Sequence, residues 1–87
     1  MEDHAILDEL LALLGQNNVT IRSEPMGGAG GGLCKIKDKQ LFYVDTEAHS
    51  AEMAVTCAQA VNEIMDIESI YIRPQIRDFL EKNRQNS

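Results

Sequence analysis

The sequence predicts one small α+β domain over residues 1–87, in which a three-stranded antiparallel meander carries its helices on one face. Three observations predict this fold. Leucines near the N-terminus recur at the spacing of a buried helix face, three segments rich in β-branched residues follow, and an alanine-rich helical pattern comes after them. Consecutive strands with short connections favour antiparallel neighbours, so the predicted order is α-β-β-β-α-α.

The first helix is predicted over residues 4–14. Four leucines there share one face: Leu7, Leu10, Leu11 and Leu14. Asp3 is expected to cap its N-terminus, and Gly15 is expected to end it in the left-handed conformation.

Three strands are predicted next. Residues 19–24 alternate in polarity and contain β-branched residues, so one face of this strand is expected to point inward. Residues 33–37 and 40–45 have the pattern of two paired strands, with Asp38-Lys39 as the turn of their hairpin.

The longest helix is predicted over residues 47–65, capped by Asp45 or Thr46. Its apolar stripe is predicted to consist of Ala51, Ala54, Ala58, Val61 and Met65. A last helix is expected to open at Pro74, where the missing N–H of proline costs nothing.

The charge composition argues against a nucleic-acid partner, because 14 acidic side chains outnumber 8 basic ones and leave a net charge of −6. No apolar run approaches the roughly 20 residues of a membrane span, and no signal-peptide pattern is present. Two cysteines, Cys34 and Cys57, are too few for a disulfide framework, so a cytoplasmic protein with reduced thiols is predicted. The polar residues 83–87 are expected to fray.

Residues 27–32 form a glycine-rich run, Gly-Gly-Ala-Gly-Gly-Gly. A phosphate-binding P-loop needs Gly-Lys-Ser/Thr at its end and a helix after it. Here Leu33 and Cys34 follow, and the next element is a predicted strand, so no helix N-terminus is available to a phosphate. The run is interpreted as a flexible connection between strands, with a mobile flap or a partner-binding loop as the alternatives.

The second hypothesis for this region is a small-ligand site, over which the glycine loop closes. Its candidate residues are Gly27, Gly28, Gly30, Gly31, Gly32, Cys34, Tyr43, Asp45 and His49. Nothing local activates Cys34, since no helix begins there and Lys35 points to the other sheet face. The simpler interpretation of Cys34 is therefore a small apolar core residue.

A metal site is not predicted. His49 and Cys57 lie on one predicted helix roughly 12 Å apart along its axis. They cannot share a zinc ion whose ligand bonds are near 2 Å. No cofactor is predicted, and no residue is assigned a catalytic role.

Four segments carry a resemblance to a known family. They are the run from Pro25 to Cys34, the strand that ends Phe-Tyr-Val-Asp at Asp45, the long helix, and Ile70-Tyr-Ile-Arg-Pro-Gln-Ile-Arg. Over residues 6–81 the chain resembles a family of small bacterial proteins to which no function is assigned. The Gly-Leu-Cys loop is the most specific part of this resemblance, which implies no activity.

A weaker resemblance concerns the order of elements. An N-terminal helix, a glycine turn, a hairpin ending in an apolar-Asp strand and a long helix are similar to the first half of ImmA/IrrE-type zinc peptidases. In those enzymes the long helix carries His-Glu-x-x-His. The comparable stretch here is Ala-Gln-Ala-Val-Asn-Glu, residues 58–63, so the resemblance implies a scaffold without its metal.

The sequence thus predicts a non-catalytic cytoplasmic protein that acts by binding a protein partner or by self-association, with the two-fold homodimer as the commonest oligomer. The apolar stripe together with Met53, Ala60 and Tyr71 is expected to supply the contact. The alternative is a small-ligand-binding protein, or a metal-free relic of a zinc-peptidase scaffold, with the glycine loop and Cys34 at its site.

Overall fold

The computed structural model describes residues 2–84 and confirms an α+β fold. Residues 85–87 of the tail that was predicted to fray lie outside the described residues. The elements are α1 (Asp3–Gln16), β1 (Val19–Glu24), β2 (Gly32–Ile36), β3 (Lys39–Asp45), α2 (Ser50–Ile64), a 3-10 turn (Ile67–Ser69) and α3 (Pro74–Lys82).

The predicted antiparallel meander is wrong, because the sheet is mixed and its strand order is β1-β3-β2. β1 pairs with β3 in parallel, and β2 pairs with β3 antiparallel. β3 therefore lies between the two strands that precede it in the chain. Adjacent strands are about 4.8 Å apart, so residues 25–31 have ample length to cross β3 and reach its far side.

The β2–β3 hairpin is confirmed, but its turn lies one residue earlier than predicted. Ile36 pairs with Lys39, so the two connecting residues are Lys37 and Asp38. Lys37 takes a φ of 56°, the left-handed value that the first position of such a turn requires.

The first helix begins and ends differently from the prediction. Glu2 occupies the N-cap position and Asp3 is already helical. Gly15 does not end the helix, which continues to Gln16, and Asn18 takes the left-handed φ of 66° before β1. A single glycine costs a helix only about 1 kcal/mol, whereas asparagine tolerates the left-handed region better than most residues.

The second long helix begins later than predicted. Its N-cap position is held by His49, not by Asp45 or Thr46, and the His49 side chain makes no capping hydrogen bond. The backbone first makes a tight turn, in which the N–H of Ala48 donates to the carbonyl oxygen of Asp45 at 3.2 Å. The helix can start only after that turn.

The buried face of α2 matches the predicted stripe at Ala54, Ala58 and Val61 but not at its two ends. Ala51 is exposed, and Met65 is only partly buried just after the helix. The six buried positions are Met53, Ala54, Cys57, Ala58, Ala60 and Val61. This face is wide because α2 packs against α1, α3 and the sheet at once.

The core lies between the helices and one face of the sheet. Phe42 of β3 is its largest fully buried side chain, and Val19 and Leu33 of the neighbouring strands pack against the same cluster. The remaining buried apolar residues come from the helices and their connections: Ile6, Leu7, Leu10, Leu14, Met53, Ala54, Cys57, Ala58, Ala60, Val61, Ile67, Ile72, Ile76 and Leu80. Within residues 2–84, no helix has the length and apolar character needed to cross a bilayer.

Candidate functional site

The carboxylate of Asp45 anchors the glycine loop. Asp45 ends β3 and is 1% exposed, the one buried acidic residue of the described chain. Its Oδ1 accepts hydrogen bonds from the backbone N–H groups of Met26 and Glu47, both at 2.9 Å, and its Oδ2 accepts one from Gly30 at 2.9 Å. One buried side chain thus binds both ends of the loop to the end of the sheet.

Glu47 provides a second anchor for the same loop. Its Oε1 accepts a hydrogen bond from the N–H of Gly27 at 2.7 Å. The parallel ladder between β1 and β3 is also extended by one bond, from the N–H of Thr46 to the carbonyl oxygen of Glu24 at 3.1 Å. The loop is therefore folded onto the point where the chain leaves β3.

The hydrogen bonds around Asp45 determine its ionisation. Burial by itself would raise the pKa of Asp45, because a charged carboxylate loses its hydration. The backbone N–H groups of Glu47, Gly30, Met26 and Gly28 outweigh this effect and hold the pKa below its ordinary value of 3.8. Asp45 is therefore ionised at neutral pH. Its negative charge attracts the partial positive charges of these backbone N–H groups.

Asp45→Asn is expected to lower the melting temperature at neutral pH by on the order of 10 °C. The asparagine NH₂ group is a donor and would face backbone N–H donors. Because the folded pKa is lowered, the stabilisation by Asp45 is full above about pH 3.8 and is lost as the pH falls through the folded pKa. The difference between wild type and variant should therefore shrink in strongly acidic solution, as measured by circular dichroism melts.

The control for this prediction is Asp38→Asn in the exposed hairpin turn, which should leave the melting temperature nearly unchanged. If the difference in melting temperature between wild type and Asp45→Asn stays constant from neutral to strongly acidic pH, the role of the carboxylate charge is contradicted.

The glycines of the loop have two separate structural roles. Gly28 and Gly30 take φ values of 83° and 84°, which other residues adopt at a cost. Gly31 instead lies against the backbone of β3, where an added Cβ would be 1.7 Å from the carbonyl oxygen of Tyr43. Gly32 is the first residue of β2 and pairs with Tyr43.

The structure brings part of the predicted site together: the N–H of Gly30 donates to Asp45, and Gly32 pairs with Tyr43. Cys34 pairs with Leu41, which is four residues before Asp45, a distance of roughly 13 Å along the strand. His49 comes after the end of β3 and is exposed. The loop glycines, Tyr43 and Asp45 thus form one cluster, while Cys34 lies further along the sheet.

Cys34 is not the core residue that its simpler interpretation predicted. It is half-buried, and the register places it with Leu41 and Tyr43 on the sheet face opposite to Phe42. Cys57 is the core cysteine, and burial raises the pKa of its thiol to about 12. Cys57 is therefore an inert apolar residue at neutral pH.

The geometry leaves little support for a metal or phosphate site. Within residues 2–84, no three His, Cys, Asp or Glu side chains are placed to share a metal ion. In the glycine loop, the N–H groups of Met26, Gly27 and Gly30 already donate to carboxylates, so they are not offered to a phosphate. No buried side-chain nitrogen or oxygen of the described chain lacks a hydrogen-bond partner.

A second surface, which we call the Tyr71 groove, lies between α1 and the residues that lead into α3. It forms an open cavity of about 210 Å³. Its lining residues are Glu9, Ala12, Leu13, Gln16, Tyr71, Ile72, Arg73 and Ile76. Aliphatic and polar side chains both contribute to the lining, and Arg73 Nη1 lies 3.3 Å from Glu9 Oε1 in an ion pair.

Tyr71 is the most exposed large apolar side chain of the described residues, at 88%. Its segment is extended and firmly held. The Arg77 guanidinium donates through Nη2 to the carbonyl oxygens of Ile67 at 2.7 Å and Ile70 at 3.0 Å. The next residue, Ile72, is buried. The backbone is thus fixed on both sides of Tyr71, and the ring extends outward beside the cavity.

The sequence identified Tyr71 as a contact residue but missed the rest of the groove. Met53 and Ala60, which were predicted to share the contact surface, are instead in the core, at 1% and 4% exposure. The signal that was available is the alternation of Ile70, Tyr71 and Ile72, because successive side chains of an extended segment point to opposite sides. Ile72 is buried and Tyr71 is exposed, as this alternation predicts, while Ile70 is itself 37% exposed.

Comparison of the chain with protein-family models, with curated proteins and with solved structures gives no match. The two resemblances stated from the sequence stay predictions. The stretch comparable to the zinc-binding motif of the peptidases lies within α2, where Ala58, Ala60 and Val61 are buried in the core.

Proposed function

We propose that this protein is a non-catalytic binding domain whose partner is a protein that docks on the Tyr71 groove. The observation that carries the proposal is Tyr71 itself, an aromatic ring 88% exposed at a cavity lined by aliphatic and polar residues. Tyrosine and arginine are enriched at the energetically important positions of protein interfaces. The Arg73–Glu9 pair supplies the polar rim that such interfaces have.

The size of the cavity supports a protein partner over a cofactor. Pockets for small molecules typically have roughly 300–1,000 Å³, whereas this cavity has about 210 Å³. That volume suits one inserted side chain. The hydrogen bonds from Arg77 to the carbonyl oxygens of Ile67 and Ile70 also favour binding, because a segment that is already held loses less conformational entropy when it docks.

The alternative, a small-ligand site at the glycine loop and Cys34, has less support. The amides of Met26, Gly27 and Gly30 bind the carboxylates of Asp45 and Glu47. Cys34 lies further along the sheet with Leu41 opposite to it. The loop therefore acts as a structural closure of the sheet, and the groove carries Tyr71, the most exposed large apolar side chain of the described residues.

The proposal is tested by placing the photo-crosslinker p-benzoyl-L-phenylalanine at position 71 in cells that express the protein. We expect discrete covalent adducts with a protein after irradiation. The matched control is the same group at position 36, because Ile36 is also a large apolar residue and is 49% exposed on β2. Position 36 should give no adduct of comparable yield.

A second variant links the adducts to the groove. Ala12 lies exposed on α1 at the groove lining, so Ala12→Arg fills the groove without entering the core. Ala12→Arg should abolish the adducts formed from position 71. Equal adduct yields at positions 71 and 36, or none at either position, would overturn the proposed function.

A further inference from the structure

We infer that the protein partner of the Tyr71 groove is a second copy of this chain, in a two-fold dimer in which Tyr71 of each copy enters the groove of the other. This inference rests on the proposed function and names its partner. A two-fold interface uses the same patch on both subunits, so the patch must be complementary to itself. The Tyr71 groove carries a protruding apolar ring and a cavity for one side chain next to each other.

The charges of the groove are complementary in the same way. Its lining carries one charge of each sign, Glu9 on α1 and Arg73 just before α3. A two-fold exchange places Arg73 of one copy against Glu9 of the other.

The Arg73–Glu9 pair shows how this exchange could occur. Within one chain Arg73 Nη1 lies 3.3 Å from Glu9 Oε1, and the two side chains are 53% and 37% exposed. Both groups are thus accessible, and Arg73 can pair with Glu9 of a second copy in place of its own. An exposed pair contributes little to stability within one chain, so exchanging partners costs little.

The remaining charge of the chain does not prevent this contact. Each copy carries a net charge of −6, which disfavours most ways of joining two copies. At physiological ionic strength charges further apart than about 8 Å are largely screened. The groove offers both signs on one face, and a small contact of this kind is expected to give a weak dimer.

The test uses the full chain in sedimentation velocity experiments, from low micromolar to several hundred micromolar concentration. We expect a reversible monomer–dimer equilibrium. Tyr71→Ala should raise the dissociation constant by at least about tenfold. Ile36→Ser on β2 is the control and should leave the dissociation constant unchanged, because it removes an exposed apolar side chain of similar size elsewhere.

A complementation experiment tests the reciprocal geometry. Glu9→Arg places two cationic groups at the groove, and Arg73→Glu places two anionic groups there. Each variant alone should be monomeric, because like charges would face each other in its dimer. An equimolar mixture should form a heterodimer, in which both opposite-charge pairs are restored. A mixture that stays monomeric, under conditions where the wild type forms dimers, overturns the proposed geometry.

The failures of the two proposals are distinguishable. Wild type that stays monomeric at all concentrations overturns the second-copy inference, whatever the crosslinker shows. If position 71 then crosslinks to a protein of another mass, the groove binds a different partner and the proposed function stands. If position 71 forms no adduct, both proposals fail.

Discussion

Ala58→Asp is expected to leave most of the chain unfolded. Ala58 has 0% exposure and lies within the buried face of α2, with Cys57 and Val61 also in the core. A carboxylate at this position loses its hydration and finds no partner, and taking up a proton to become neutral also costs free energy at neutral pH. The free energy of unfolding is expected to fall by several kcal/mol. Domains are stable by only roughly 5–15 kcal/mol, and small ones lie near the lower end.

The matched control is Ala51→Asp on the same helix. Ala51 is exposed in the first turn of α2, where a negative charge interacts favourably with the helix dipole. In urea unfolding followed by circular dichroism, the free energy of unfolding of this control should lie within about 0.5 kcal/mol of the wild-type value. The same midpoint for Ala58→Asp and Ala51→Asp would contradict the observed orientation of α2.

Gly31→Ala is expected to have the second-largest effect, although it adds only one methyl group. The new Cβ would be 1.7 Å from the carbonyl oxygen of Tyr43 and 2.5 Å from its carbonyl carbon. Both atoms belong to the backbone of the central strand, so no side-chain rotation can relieve the clash. Either the loop lifts from β3 or the strands separate. We expect the free energy of unfolding to fall by at least about 3 kcal/mol.

Gly15→Ala is the control that separates this clash from a general effect of replacing glycine. Gly15 is helical, and an added Cβ would meet nothing within 4 Å. Alanine there should stabilise the protein by about 0.5–1 kcal/mol, since it restricts the unfolded chain. The melting temperature should therefore rise for Gly15→Ala and fall for Gly31→Ala. A shift of the same sign and size for both would rule out close packing at Gly31.

The helices and strands were predictable because their patterns are local. Val19–Glu24 was predicted with its observed bounds, and Pro74 was predicted to begin α3. The order of the strands was not predictable in the same way. A short connection favours antiparallel neighbours, and neither the composition nor the length of residues 25–31 shows that the loop crosses a third strand.

The role of Asp45 shows why local patterns mislead at the candidate site. An aspartate shortly before a helix pattern predicts a cap. Of the three N–H donors to its carboxylate, Glu47 is two residues away, but Met26 and Gly30 are 19 and 15 residues away. Only the three-dimensional path of the loop brings these N–H groups to the end of β3. The Tyr71 groove escaped prediction for the same reason, because it joins α1 to residues more than half the chain away.

The position of β3 between β1 and β2 also determines an order of events during folding. The β2–β3 hairpin closes over two residues, whereas each β1–β3 pair closes a segment of about twenty residues. We therefore expect the hairpin to form early and β1 to join it later as a third strand. Met26 lies two residues after β1, so its hydrogen bond to Asp45 is expected to form only when β1 docks. Loss of this bond should then accelerate unfolding more than it slows folding.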